Sequence, residues 1–296
     1  MTANRSSDVD AVTEALGSQA PVRIGPLPSG AGGAGGAGGD RGGMPAWLGG
    51  TVGAVLLIVL WEILALTVFH KPGSGVPTPT SVVSKFSSDW RAGLYGKNIG
   101  KTMREAAKGY VVANVIAIVL AIAFVQLPVI EKALLRIAIA SYCLPIIAVG
   151  PILSFALKGD APKAALAGLL VFFPTLVGVV VGLRSADPAT LDFIRAAGGG
   201  SWAQLFKVRL RAALPSTFAA LQIAAPSAIL GAIVGEYLGR QSTGLGIMMI
   251  DAQSALETAR TWGIALLCTI IAGVAYLVTG IIGRALAPWA PRRASV

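Results

Sequence analysis

The residue types that carry most enzyme chemistry are scarce in this chain. There is one histidine, His70, and there are two cysteines, Cys143 and Cys268. A zinc centre or a nucleophile–base pair needs several such groups brought together, and a disulfide framework needs more cysteines. Both cysteines stand inside apolar runs, where cysteine behaves as a small hydrophobe. No Gly-x-x-x-x-Gly-Lys-Ser/Thr phosphate loop occurs, and the 14 acidic residues are scattered, mostly outside the apolar runs. No catalytic, metal or cofactor site is therefore expected. Two acids stand apart because they sit within apolar runs, Glu62 and Glu236. An acid in a membrane is costly and is a functional suspect by default. Neither has a Lys or Arg partner in its own run. Glu236 reads either as a hydrogen-bonded packing residue near the outer end of its span or as a gate or contact for an incoming solute, and Glu62 as bonded within the bundle. Ser141, Tyr142, Ser154, Gln222 and Ser227 are further candidates to line a path, the alternative being ordinary hydrogen bonds between helices.

The elements that must position these groups are membrane spans. Only 13% of residues are charged, about half the share usual in soluble domains, while 54% are hydrophobic and the mean hydropathy is +0.72. The formal charge of +10 invites a nucleic-acid reading, which this much apolar sequence argues against. Six runs without Lys or Arg follow one another at 46–69, 110–127, 137–157, 164–183, 216–238 and 261–282. Each approaches the roughly 20 residues that a spanning helix needs, and none alternates as a barrel strand would. The expected fold is all-α, with six transmembrane helices. Residues 1–45, Gly-rich from Gly30 to Gly39, read as a flexible tail. Residues 70–109 read as an external loop or arm of net charge +5, there either to attract an anion or to lie on lipid headgroups. Pro145, Pro151, Pro174 and Pro226 lie inside spans, either as simple kinks or as signs of a partly hydrated path along the third and fifth spans. Lys and Arg divide almost evenly between the two sides, so charge favours cytoplasmic termini only weakly.

The segment 187–214 is the most informative. Asp187 can cap a helix with Pro188 in its first turn. The helix runs to Ala197 and breaks at Gly198, Gly199 and Gly200. A second, amphipathic piece follows, with Trp202, Leu205, Phe206, Val208 and Leu210 against Lys207, Arg209 and Arg211. A helix–Gly turn–helix of this kind is either a plain connector or a rigid knob for another protein.

This segment resembles the EAA loop of permease subunits of bacterial type I ABC importers, in the nitrate/sulfonate/taurine-type branch. The matching positions are Asp192, then Arg195-Ala196-Ala197-Gly198, Trp202, Val208-Arg209-Leu210 and Ala212-Ala213-Leu214-Pro215. Two departures predict local differences. Gly199 and Gly200 replace larger residues, which implies a looser turn. Arg211 replaces a proline, which implies an unbroken helix out of the loop. Weaker matches are Trp61-Glu62, the 77–82 segment, Thr102-Met103-Arg104, Gly109-Tyr110, Glu236, Gly244-Leu245-Gly246 and Ala252-Gln253, so that the resemblance covers roughly residues 61–289.

The resemblance implies the MetI-like permease fold, with an ABC type-1 transmembrane domain over 100–286, cytoplasmic termini and a place in the bacterial inner membrane. It implies a non-enzymatic subunit that forms the path for a small solute, an anion such as nitrate, a sulfonate or taurine. Its implied partners are a second permease copy, as a homodimer rather than a heterodimer, two ATP-binding cassette subunits and an extracytoplasmic solute-binding protein, with ATP and Mg held by the cassettes and no nucleic acid. Asp192, Arg195, Ala196, Ala197, Gly198 and Trp202 would couple to the cassette. Ser141, Tyr142, Gln222, Ser227 and Glu236 would belong to the path or gate. The competing readings are a secondary transporter working without ATP, which lacks the expected repeats, a membrane-embedded enzyme, and a membrane assembly subunit.

Overall fold

The computed structural model describes residues 46–69, 75–239 and 243–289. The tail 1–45 and His70 lie outside them, as does the side chain of Ser141. The chain divides between Thr51 and Val52, and of the first unit only the start of one helix is described. Among the described residues all regular structure is helical.

Among the described residues ten helices follow in order: α1 (Ala46–Thr67), α2 (Pro79–Arg91), α3 (Gly96–Gln126), α4 (Pro128–Tyr142), α5 (Ile146–Ala156), α6 (Ala161–Arg184), α7 (Pro188–Ala196), α8 (Ser201–Leu238), α9 (Leu245–Ser254) and α10 (Thr258–Leu286). Five of them, α1, α3, α6, α8 and α10, are long and apolar enough to cross a bilayer. The expected third span differs. It is two helices, α4 and α5, parted at Cys143, Leu144 and Pro145. Pro145 is the cause: it lacks an N–H and pushes the residue before it away from helical geometry.

The described part of the arm is largely helical. Its first part is the amphipathic helix α2, capped by Thr78 and started by Pro79. Its second part is the first fourteen residues of α3, which begins at Gly96 rather than 110. Lys97, Lys101, Arg104 and Lys108 are spaced 4-3-4, which is one helical stripe. Glu62 accepts from the Thr80 N–H at 3.3 Å and the Thr80 hydroxyl at 2.8 Å, so an acid on α1 meets the electropositive N-terminus of α2. Trp61 and Trp262 lie 5.2 Å apart. Asp89, buried on α2, is gripped by Arg260 of α10 at 2.8 and 3.1 Å. Lys85 sits 3.9 Å from Asp89 and 3.6 Å from Glu257.

The core is the packing of α6 against both α3 and α8. Small residues make it possible. A β-carbon on Gly109 would stand 2.6 Å from Ala167 Cβ, and one on Gly231 would stand 2.6 Å from Ala167 Cα. Lipid is as apolar as leucine, so close backbone approach and van der Waals contact drive such association. The Thr175 hydroxyl donates to Asn114 Oδ1 at 2.7 Å across the buried α3–α6 seam.

Candidate functional site

The 187–214 segment forms the end of the bundle where α6 stops and α8 starts. Asp187 caps α7, accepting from the N–H groups of Ala189 at 3.4 Å and Thr190 at 3.0 Å, with Pro188 in the first turn. The Thr190 hydroxyl and N–H hold the Asp187 carboxyl below its ordinary pKa. The helix ends in a Schellman turn. Gly198 N–H donates to Arg195 C=O at 3.0 Å, and Gly199 N–H to Ile194 C=O at 2.8 Å. Gly198 has φ +81°, the left-handed region where glycine carries no steric penalty.

The looser turn expected from Gly199 is not what forms. A β-carbon there would stand 2.6 Å from Ile194 Cγ2 and 2.8 Å from the Ile194 carbonyl, so Gly199 permits a tight turn. Gly200 has extended backbone and open space around it. The helix leaving the turn is unbroken from Ser201 to Leu238, as Arg211 in place of proline implies, with a π-helical stretch at Leu205–Arg209.

The apolar residues of the amphipathic piece were expected on one face, but they separate. Leu205 is 0% exposed in the cluster with Leu176 and Leu183, whereas Trp202 and Phe206 are 61% and 62% exposed and stack at 6.0 Å. Phe193 on α7 is 72% exposed. Asp192 and Arg195 pair with each other at 3.0 Å and are both exposed, as are Ala196, Ala197 and Gly198. The site is thus a knob with a small-residue tip beside exposed aromatics.

Its base is anchored. Gln204 Nε2 donates to Leu191 C=O at 3.4 Å, and Arg209 donates to Leu183 C=O at 3.2 Å at the end of α6. Arg184 grips both Glu131 oxygens at 2.5 and 2.6 Å, tying α6 to α4. These bonds link the base of the knob to α6 and, through Arg184, to α4.

The path candidates make separate contacts. Tyr142 stacks on Phe173 at 4.8 Å beside the α4–α5 break. The Gln222 amide crowds Gly280 on α10. The Ser227 and Ser154 hydroxyls bond back to their own helices, at Ile223 C=O and Gly150 C=O. A groove of about 770 Å³ lies along α3 and α6, lined by Glu105, Lys108, Asp160 and apolar side chains.

Glu236 is fully buried at the other end of α8. It accepts from the Thr102 hydroxyl at 2.8 and 3.0 Å and from the Gly246 N–H at 2.9 Å, with Lys163, also fully buried, at 4.0 Å. The hydrogen-bonded reading of Glu236 describes this geometry. Lys163, a lone cation before an apolar run, was missed at the sequence level.

Residues 113–291 match the family described as the binding-protein-dependent transport system inner membrane component. Riboflavin transport system permease protein RibX of Chloroflexus aurantiacus is 28% identical over 82% of this chain and 90% of its own length. Formylaminopyrimidine transport permease protein ThiX of Halalkalibacterium halodurans is 29% identical over 66% and 77%. A Bacillus subtilis protein named for aliphatic sulfonates transport, SsuC, is more distant at 24% over 82% and 88%. The knob on an all-helical bundle, five apolar helices of spanning length and this match agree: the chain belongs to the binding-protein-dependent transport system inner membrane component family and is a multi-pass inner-membrane permease of an ABC importer.

Proposed function

We propose that this permease forms the path for a small organic solute and is driven by ATP-binding subunits that dock on its 192–202 knob. The observation that carries the reading is the knob itself. Ala196, Ala197 and Gly198 present a surface with no bulky side chain, flanked by exposed Phe193, Trp202 and Phe206, on a base bonded into α6 and α8. Exposed aromatics of this kind are what a partner surface covers with the largest gain in buried apolar area. Closure of paired ATP-bound subunits would draw two knobs together and move each bundle as a rigid body, switching access from one membrane face to the other.

A second copy of this chain completes the path, the termini lie in the cytoplasm, and α4 with α5 cross as one broken helix. Irregular backbone at Cys143, Leu144 and Pro145 is tolerated in a membrane where it lines a cavity or is covered by protein.

The solute class follows relatives named for riboflavin, a formylaminopyrimidine and sulfonates, all organic molecules. Attraction of a small anion by the basic arm has less support, because Lys85 is already occupied by Asp89 and Glu257. The test is reconstitution of the chain in liposomes with the ATP-binding subunit and the solute-binding protein from its own operon. Uptake requiring all three and ATP supports the reading. Uptake by the chain alone would instead make it a secondary transporter.

A further inference from the structure

The end of the bundle opposite the knob carries a second construction, around the N-terminus of α9. A helix N-terminus leaves N–H groups without partners in the helix. Here three consecutive N–H groups are met by side chains from elsewhere in the chain. Gly244 N–H donates to Asn98 Oδ1 at 3.0 Å, Leu245 N–H to Thr102 Oγ1 at 3.0 Å, and Gly246 N–H to Glu236 Oε2 at 2.9 Å. Asn98 and Thr102 stand one turn apart on α3, and Glu236 ends α8. Thr102 serves twice, accepting from Leu245 while its own hydroxyl donates to Glu236.

The charges close on themselves. Lys163, at the start of α6, lies 3.2 Å from Asp160, 3.2 Å from the Thr243 carbonyl and 4.0 Å from Glu236, and Lys101 of α3 bonds the other Asp160 oxygen. Two cations and two acids balance, which is the condition for keeping such groups out of water. Gly244, at φ +141°, has no room for a β-carbon, because the Glu236 carboxylate fills that space.

We propose that Asn98, Thr102 and Glu236 are positioning residues that cap α9 from outside the helix, and that this clamp makes α9 move as one body with α3, α6 and α8. Its integrity then sets how much solute crosses per ATP hydrolysed. An α9 cut loose from the bundle would leave the ATP-driven motion of the knob end unconverted at the opposite mouth. The transport half of this inference rests on the importer reading. The clamp half does not.

The experiment uses the assembled permease–ATPase complex and compares wild type with T102V, T102S and E236Q. Hydrogen exchange reports the amides of Gly244, Leu245 and Gly246, while uptake and ATP hydrolysis are measured on the same liposomes. A hydrogen bond to a charged group is worth enough to change an opening equilibrium by about tenfold or more. In T102V those amides should exchange at least about tenfold faster, and solute moved per ATP should fall by a similar factor, with the amount of folded complex unchanged. T102S keeps the hydroxyl and should restore both. E236Q keeps an acceptor for Gly246 but removes the negative charge 4.0 Å from Lys163, which retains Asp160, and should fall between. Unchanged exchange in T102V, or faster exchange with unchanged solute per ATP, overturns the proposal. If T102V does not accumulate, N98A probes the same clamp from its half-buried rim, with the same two criteria. Failure of the importer reading shows separately, as absent ATP-driven uptake in the wild-type complex, and the exchange comparison then decides the clamp by itself.

Discussion

The three consecutive glycines of the knob give a series in which turn geometry and partner docking can be separated. Gly198 holds φ +81° and its β-carbon direction is empty, so Gly198→Ala meets no clash. Its cost is conformational, about 1–2 kcal/mol for an L-residue forced into the left-handed region. That corresponds to a roughly 5- to 30-fold shift from the closed turn toward the open one. The cost is local, because the knob surface is exposed while Leu205 below it stays locked in the core. Gly200 has ordinary extended backbone and open space, so Gly200→Ala leaves the turn as it is. Gly199→Ala drives a methyl into Ile194 and must displace the turn itself. Hydrogen exchange at the amides of Ala197, Gly198 and Gly199 reads the turn, and ATP-driven uptake in liposomes reads coupling. The expected result is faster exchange and lower uptake for Gly198→Ala and Gly199→Ala, at wild-type melting temperature and membrane yield, with Gly200→Ala matching wild type in exchange. Gly200→Trp should leave exchange unchanged and still abolish uptake, because the added bulk occupies the partner's side of the tip. Full ATP-coupled uptake in a Gly198→Ala protein whose turn has opened would falsify the idea that this tip transmits force.

The remaining predictions concern the arm and the charged end of the bundle. Asp89→Asn removes the charge that holds Arg260 and should destabilise the α2–α10 contact by about 1.5–3 kcal/mol, read as a lower melting temperature. Tyr95 is buried with its hydroxyl unpartnered, its pKa pushed up to about 12 first by burial and then by the nearby Asp89 charge. Tyr95→Phe should therefore be neutral or stabilising, and a loss above about 1 kcal/mol in a denaturation assay would contradict that assignment. The hydrogen bond from Lys101 holds the Asp160 carboxyl below its ordinary value of 3.8. The folded state then binds this proton less readily than the unfolded chain does. The contribution is present above pH 3.8 and is lost as pH falls through the lowered folded value. The melting-temperature gap between wild type and Asp160→Asn should accordingly be constant near neutrality and shrink below about pH 4.

Much of the knob could be read from the sequence because its determinants are local. Asp187 with Pro188, the Gly198 turn and Arg211 in place of proline each act within a few residues, and each appears in the structure at the expected position. The amphipathic piece was harder, because a single apolar stripe does not say which side chains a core will claim: the core takes Leu205 fully and Leu210 in part, and leaves Trp202 and Phe206 exposed. Residues 70–109 were read as an external loop or arm from their charge, which does not show where the helices lie. The 4-3-4 spacing of Lys97, Lys101, Arg104 and Lys108 is helical, and α3 starts well before its apolar part. Pro145 was read either as a simple kink or as a sign of a hydrated path; at that position the chain forms two short helices. Glu236 appeared partnerless because Thr102 and Lys163 lie on other helices, 134 and 73 residues away. Only the packing of α3, α6 and α8 brings them together.

The central claim is that the tip formed by Ala196, Ala197 and Gly198 meets an ATP-binding subunit. A single cysteine at Ala197, in a chain with Cys143 and Cys268 replaced, can carry a short photo-crosslinker in the assembled complex. Ala197 is exposed and its side chain is not needed by the turn. The account predicts one dominant adduct, to the ATP-binding subunit, whose yield changes between the nucleotide-free and ATP-bound complex. Adducts to lipid alone, or an identical yield in both nucleotide states together with full ATP-driven uptake, would contradict it.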